Sequence, residues 1–234
     1  MIDQITKDVV TILIDLNKKF SNNLQTSLQH ESERTQRIEV KARAFVTISN
    51  ILTKEPNLIA AQKELTCIFD EIFADIICSV YFASCSLDRP AEMLLRKVLE
   101  LGIGFFYMWD MPHWFWAWKD HDRDLNFTDM ISHLGSDGYK TLVTKENPNF
   151  HGQDIIDFTL VKSLFGSLSD TVHGKIKTFE SLVEQRFNFN PADWVNHLKN
   201  VEDVEDILLK AFRNRFPSIV EKLEKEQPSI AITK

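Results

Sequence analysis

Glycine and proline are scarce in this sequence, with 7 of each among 234 residues. An all-β protein of this size needs many more turn residues, so this class is excluded. The long segments between the few glycines and prolines carry apolar residues at helical spacing. We therefore predict an all-α fold, a helical bundle.

Long apolar runs and targeting segments are also missing. No run reaches the ~18 apolar residues of a membrane span. The first twenty residues contain Asp3 and Asp8 and no small-residue cleavage site, unlike a signal peptide. The three cysteines form no CxxC pair, and we interpret them as reduced core thiols. These absences predict a cytoplasmic protein without a membrane partner.

The overall charge disfavours one further class. A net charge of −7 argues against a broad nucleic-acid-coating surface, which requires clustered Lys and Arg. The net charge does not exclude a local basic cleft. The composition, 44% hydrophobic and 26% charged, is that of an ordinary globular protein. We predict a single domain over residues 1–234, with N-terminal helices in 1–53, a bundle core in 58–178 and C-terminal helices in 190–226.

The centre of that bundle is predicted to be a long apolar helical hairpin. Its two helices cover residues 58–84 and Arg89–Asp110, and a short turn at Ser86-Leu87-Asp88 joins them antiparallel. Elsewhere the pattern predicts an amphipathic helix over 2–20, an exposed helical extension over 21–41, helices over 42–53 and 154–177, and a loop over 136–153. The segment WFWAW is predicted to be a turn leading into a short helix.

A polar stripe marks the central helix. On a helical wheel, Arg89, Arg96, Glu100 and Tyr107 lie within about 40° of one another. Arg96 and Glu100 are one turn apart, so their side chains can meet. One interpretation is a structural ion pair between helices. The other is an arginine that binds phosphate, held in place by Glu100 and extended by Tyr107.

A later helix supplies a second candidate pair within LSDTVHG. Ser169 and His173 are four residues apart, and His173 is either a solvated side chain or a general acid/base that Ser169 orients. No serine lies in a GxSxG motif, which disfavours a serine hydrolase. We predict Arg96 and His173 as catalytic residues, with Glu100, Ser169 and Tyr107 in support.

Metal and cofactor motifs are absent. His113 and His121 lie among aspartates, but no HExxH or paired ExxH pattern is present, so we predict no metal. There is no P-loop or dinucleotide fingerprint, and we predict no cofactor. Trp114, Trp116 and Trp118 are typical of a core plug or an interface anchor, and we predict them as partner-binding residues.

The sequence LLRKVLELGIGFFYMW, with its Arg-x-x-x-Glu, and the later LSDTVHG together resemble HEPN-like helical proteins of bacterial toxin and phage-defence systems. The resemblance spans roughly residues 58–178. It implies a helical bundle that dimerises and, in active members, cleaves RNA without metal. Those members carry an Arg and a His four to six residues apart on one helix. Here no Arg precedes a His at that spacing, so Arg96 would act from a neighbouring helix.

Three functions remain open on these patterns. The first is a HEPN-like component of a bacterial stress, toxin–antitoxin or antiviral defence system, acting as a metal-independent ribonuclease. The second is a non-catalytic interaction module with a structural Arg96–Glu100 pair. The third is a small-ligand sensor with a pocket between the helices. We expect a homodimer, with a partner protein from the same system and RNA as further partners.

Overall fold

The computed structural model describes residues 2–172 and 187–230, and only the backbone of residues 2–7 and 172. Every regular element in these ranges is helical and none is a strand, which confirms the all-α fold. The helices, in chain order, are α1 (Ile2–His30), α2 (Ser32–Thr53), α3 (Ala60–Leu65), α4 (Ile68–Ser84), α5 (Asp88–Asp110), α6 (Pro112–His121), α7 (Phe127–Leu134), α8 (Asp137–Glu146), α9 (Phe158–Val172), α10 (Pro191–Arg215) and α11 (Pro217–Glu226).

Helices α1 and α2 cover the segments predicted as a helix and its extension, with a break at Glu31. The second half of α1 is tied to the bundle. The Ser27 hydroxyl donates to the Ser84 carbonyl at 3.0 Å, at the end of α4. Helix α2 then buries Phe45, Ile48 and Leu52 completely in the core.

Helices α4 and α5 run side by side in opposite directions at the centre of the fold. The Ser79 hydroxyl donates to the Ala91 carbonyl at 2.8 Å, and Lys97 forms an ion pair with Asp75 at 2.8 Å. The helix predicted over 58–84 is divided: α3 ends at Leu65 and α4 begins at Ile68. Around α5 the core is aromatic, and Phe105 lies 4.6 Å from Phe69 and 5.4 Å from Phe212 between ring centroids.

The loop predicted over 136–153 is wrong for most of its length. Ser136 accepts a hydrogen bond from the Tyr139 amide, so it caps the start of α8. Tyr139 and Val143, one turn apart, are both buried and hold this short helix against the bundle. Burial of two side chains thus outweighs the breaker Gly138, whose Cα faces open space. The aromatic segment WFWAW also differs from the prediction, because it lies inside α6.

The remaining helix starts follow the capping residues of the sequence. Asp157 accepts hydrogen bonds from the Thr159 and Leu160 amides at 3.0 Å before α9. Asn190 caps α10, as the sequence predicts. Pro217 takes the first position of α11, two residues before the start at Ile219 that the sequence predicts. The predicted continuation of α9 to residue 177, and most of the irregular segment predicted over 180–190, lie outside the described residues. No helix in the described ranges is long and apolar enough to cross a bilayer.

Candidate functional site

Arg96 lies halfway along α5, at the seam where α5 meets α9. Its side chain is one-quarter exposed. The Nε group donates a hydrogen bond to the Ser169 hydroxyl oxygen at 3.0 Å, and Nη1 lies 3.4 Å from Oε2 of Glu100. The structure therefore brings together three of the residues singled out from the sequence, Arg96, Glu100 and Ser169.

An aromatic stack supports the guanidinium from below. The guanidinium carbon of Arg96 lies 4.6 Å from the ring centroid of Phe165. Phe165 in turn stacks on Phe127 with centroids 3.6 Å apart and an interplanar angle of 5°. A planar guanidinium is attracted to such a ring face and is held flat against it. Arg96 is thus fixed by contacts from α5, α7 and α9.

The surroundings of Glu100 disfavour its charged form, although Arg96 lies beside it. Burial raises the pKa of this carboxyl, Arg96 opposes that shift, and the nearby Asp124 adds to it. Two acids near one arginine reduce the positive potential of the seam. A phosphate would therefore bind here through directed hydrogen bonds to Arg96 rather than through a broad positive field.

His173, the predicted acid/base, lies outside the described residues. In the sequence it follows Ser169 by four residues. The hydrogen bond between Arg96 and Ser169 therefore shows where Arg96 contacts α9. The proximity of Arg96 to His173 remains a prediction.

Tyr107 lies about 16 Å further along α5 than Arg96, at 1.5 Å per residue, and forms a separate group. It is buried, with its ring 5.9 Å from that of Trp114 and 5.2 Å from that of His133. With Trp114 and Arg123 it lines a cavity of about 190 Å³. Burial raises the pKa of Tyr107, as does Asp129, while Arg123 lowers it. Tyr107 thus extends the polar stripe without contributing to the Arg96 group.

The three tryptophans are half-buried side chains of α6 that pack against the core. Phe115, between them, is fully enclosed. Arg123 covers Trp114 at 4.4 Å from its ring centroid, and Lys119 lies 5.4 Å from that of Trp116. Much of the predicted partner-binding surface is therefore already in contact with the chain itself.

The sequence did not single out a buried ion pair at the far end of α5. Arg215 binds Asp110 through two hydrogen bonds, Nη2 to Oδ1 at 2.7 Å and Nε to Oδ2 at 3.2 Å, and reaches Glu146 at 2.5 Å. Arg215 is buried and Asp110 is nearly so, with 5% and 10% of their side chains exposed. Each ends a long helix two residues before a proline, and that repeated position is the sequence feature by which the pair could have been found.

A buried histidine was also missed. His197 of α10 is 5% exposed, and its Nε2 lies 3.1 Å from the Ser79 hydroxyl. Because that hydroxyl gives its proton to the Ala91 carbonyl, Nε2 carries the proton and donates to Ser79. Burial lowers the pKa of His197 to about 4, so it is neutral at pH 7.

The last missed group is Glu205, which is fully buried on α10, and neither carboxyl oxygen has a hydrogen-bond partner among the described residues. Burial raises its pKa well above the ordinary value. Its position in the apolar stripe of Val201, Val204 and Leu208 is visible in the sequence. Burial in the core therefore favours the neutral form of this carboxyl.

The part of the chain that the structure describes contains no group of three or more His, Cys, Asp or Glu side chains placed to hold a metal ion. A larger cavity, of about 490 Å³, lies at the start of α5 between Asp88, Glu92 and Asp193. These three acids outnumber the one arginine of its lining, Arg89, which disfavours phosphate.

The chain was compared with known proteins in three ways. No protein-family model, no curated protein and no solved structure matches it. A function is therefore inferred from the geometry of the site and from the short motifs that resemble HEPN-like proteins.

Proposed function

We propose that this chain is a HEPN-like component of a bacterial stress, toxin–antitoxin or phage-defence system that cleaves RNA in the cytoplasm without a metal ion. The α4–α5 pair corresponds, in this proposal, to the apolar hairpin of HEPN-like bundles. The observation that supports it best is the 3.0 Å hydrogen bond from Arg96 to Ser169. It joins the two short motifs that carry the resemblance, one on α5 and one on α9.

The chemistry uses the substrate's own nucleophile. The 2′-hydroxyl loses its proton to a base and attacks the adjacent phosphorus, and the bond from phosphorus to the 5′-oxygen breaks. The leaving 5′-oxygen takes up a proton, and a 2′,3′-cyclic phosphate remains. His173 is the proposed proton-transfer residue, because an unperturbed imidazole titrates near neutral pH. Arg96 would stabilise the charge that develops on the phosphorane oxygens.

The arrangement around Arg96 suits a positioning task. Its guanidinium is already held by Ser169, Glu100 and the Phe165 ring, so little side-chain freedom is lost when a phosphate arrives. The nearby acids and the net charge of −7 favour a specific RNA or a partner-delivered RNA over general binding. We therefore expect activity on a limited set of substrates.

The test is RNA cleavage in EDTA by four purified proteins: wild type, Arg96→Ala, His173→Ala and the control Arg37→Ala. Arg37 is 60% exposed and lies outside the site. We expect loss of at least about a hundredfold in rate for the first two variants, the usual contribution of an acid/base or charge-stabilising group, and no loss for Arg37→Ala. Circular dichroism and thermal melts check that each variant folds. Equal rates in all four proteins would rule out this site.

A second function is favoured by a specific observation. The Arg96 contacts just described also satisfy a purely structural ion pair, as in a non-catalytic interaction module. In that case wild type shows no cleavage with any RNA, while Arg96→Ala lowers the free energy of unfolding. Cleavage by wild type that is lost in His173→Ala would exclude the interaction module.

A further inference from the structure

The small cavity beside Tyr107 is separate from the Arg96 group and has no role in the cleavage chemistry described above. It encloses about 190 Å³ and is lined by residues of α5, α6, α7 and the linker between α6 and α7. Tyr107 and Trp114 give it aromatic walls, while Arg123 and Asp129 supply charge. Drug-sized ligands fill pockets of about 300–1,000 Å³, so this smaller space suits a single planar ring system.

The linker between α6 and α7 folds back and forms one side of this cavity. Asp122 ends α6 in the left-handed region at φ 49°, and the Arg123 amide then donates to the Ala117 carbonyl at 3.2 Å. Leu125 packs onto α5 at Gly104, and its Cδ1 lies only 3.3 Å from the position that a β-carbon would take. Because Gly104 has no side chain, the linker lies close against α5 beside the cavity.

The Tyr107 hydroxyl is the buried polar group of the cavity. Only 7% of this residue is exposed, yet its hydroxyl forms no hydrogen bond within the described residues. A buried hydroxyl without a partner costs free energy, and a ligand that accepts a hydrogen bond from it removes that cost. Burial raises the pKa of Tyr107, so the hydroxyl keeps its proton at neutral pH and can donate.

Asp129 supplies an acceptor near this donor. It stands in the first turn of α7, and its charge contributes to the raised pKa of Tyr107. Its carboxylate has no ion-pair or hydrogen-bond partner in the part of the chain that the structure describes. Arg123 contacts an aromatic ring instead, with its guanidinium carbon 4.4 Å from the Trp114 centroid. The two free oxygens of Asp129 can therefore accept two neighbouring N–H groups of one ligand.

We propose that this cavity binds a guanine base of single-stranded RNA. Guanine carries two adjacent donors, N1–H and the 2-amino group, next to the acceptor O6. The Asp129 carboxylate accepts from both donors, the Tyr107 hydroxyl donates to O6, and the ring stacks on the Arg123 guanidinium. Adenine and cytosine have an acceptor beside their amino group, and uracil has a single N–H. Each of these bases leaves polar groups of the cavity unpaired.

The distance from Arg96 determines which nucleotide carries this guanine. Tyr107 lies about 16 Å further along α5, at 1.5 Å per residue, and a single nucleotide cannot extend from a phosphate at Arg96 to a base at Tyr107. The guanine therefore belongs to a nucleotide further along the strand than the one that is cut. This assignment rests on the proposed ribonuclease function and makes it specific for RNA with a guanine at a fixed distance from the cut.

The base preference is tested with nucleotides that share one phosphate and differ in the base, 5′-GMP, 5′-IMP and 5′-AMP. Indole N–H resonances of the isotope-labelled full chain report binding, because the chain has five tryptophans and Trp114→Phe identifies the Trp114 signal. We expect GMP to shift this signal. IMP lacks the 2-amino group and should bind about tenfold more weakly, the usual loss for one hydrogen bond to a charged group. AMP should bind more weakly than IMP.

Two variants give different results if the assigned hydrogen bonds form. Asp129→Asn removes the double acceptor, so GMP should bind about tenfold more weakly and its advantage over IMP should disappear. Tyr107→Phe removes the donor to O6, which both nucleotides carry, so both should weaken by the same factor of about three to ten. The matched control Asp137→Asn removes an acid from the first turn of α8, outside the cavity, and should change neither affinity. Thermal melts check that each variant folds.

Three results would overturn this inference: no binding of GMP, equal binding of GMP and IMP to wild type, or unchanged binding to Asp129→Asn. The measurement needs no cleavage, so it fails separately from the ribonuclease. Wild type that binds GMP but cuts no RNA would contradict the ribonuclease and support the guanine site. Cleavage mapped equally to sites with and without a guanine at a fixed distance would support the ribonuclease and overturn the assignment of its substrate.

Discussion

Helices α1 and α5 have similar amphipathic patterns and opposite surroundings. Along α5, polar groups have partners on other helices: the Ala91 carbonyl accepts from Ser79, Arg96 donates to Ser169 and Asp110 accepts from Arg215. Along the first half of α1, by contrast, large apolar side chains face solvent. An amphipathic pattern therefore defines a face, while the tertiary structure decides whether that face is covered.

For α5, the largest effect is expected when Arg215, the partner of its last residue Asp110, is removed. Arg215→Ala leaves the buried Asp110 without its two hydrogen bonds, and we expect the free energy of unfolding to fall by about 3–5 kcal/mol. Urea denaturation measures the change. An exposed-surface control, Lys18→Ala, should shift it by less than about 0.5 kcal/mol. A loss below 1 kcal/mol for Arg215→Ala would mean that the pair is solvated in solution.

The pH dependence of stability tests the contact at the start of α5, where Ser79 links His197 of α10 to the Ala91 carbonyl. The pKa of His197 falls from 6.5 in the unfolded chain to about 4 in the folded protein. The unfolded chain therefore binds the proton more readily between these values, and stability is lost as pH falls from 6.5 towards 4, by about 3 kcal/mol. His197→Gln retains a donor for Ser79 but does not titrate. The difference in unfolding free energy between the two proteins should change across this window and remain constant above pH 7; a constant difference throughout would contradict a buried neutral His197.

A smaller effect on stability is expected for the hydrogen bond of Arg96, in the middle of α5, to Ser169. A double-mutant cycle of Arg96→Ala and Ser169→Ala should yield a coupling energy of about 1 kcal/mol, the value for a half-buried hydrogen bond. The exposed pair Asp15 and Lys18, 3.9 Å apart, provides the reference and should couple by less than about 0.5 kcal/mol. If Arg96 and Ser169 couple no more strongly than this reference pair, the seam does not hold Arg96 in solution.

What the sequence could predict follows the range of the interactions involved. Capping and apolar spacing act over a few residues, so the C-terminal helices predicted over 190–226 are present as α10 and α11. The α8 helix was missed because its stability comes from burial of Tyr139 and Val143 against distant residues. In the sequence pattern, the helix-breaking residues of the segment 136–153 predicted a loop despite these two side chains.

The same distinction applies to the candidate site. The spacing of Arg96 and Glu100 predicted that they can meet, since both lie on one helix. The contact of Arg96 with Ser169 spans 73 residues, and Asp110 with Arg215 spans 105. Periodicity shows which face of a helix is polar but not which helix will meet it, so neither contact was predicted.

The smallest expected effect concerns α1 in the monomer. If nothing in the same chain covers its first half, Ile12→Ala should change the free energy of unfolding by less than about 0.5 kcal/mol at concentrations where the protein is monomeric. The same substitution at a buried isoleucine such as Ile103 costs about 2–5 kcal/mol, because it leaves a cavity. Urea denaturation of both variants at low concentration gives the comparison. A loss near that of Ile103→Ala would show that the face is covered within one chain, and the contrast between α1 and α5 would then disappear.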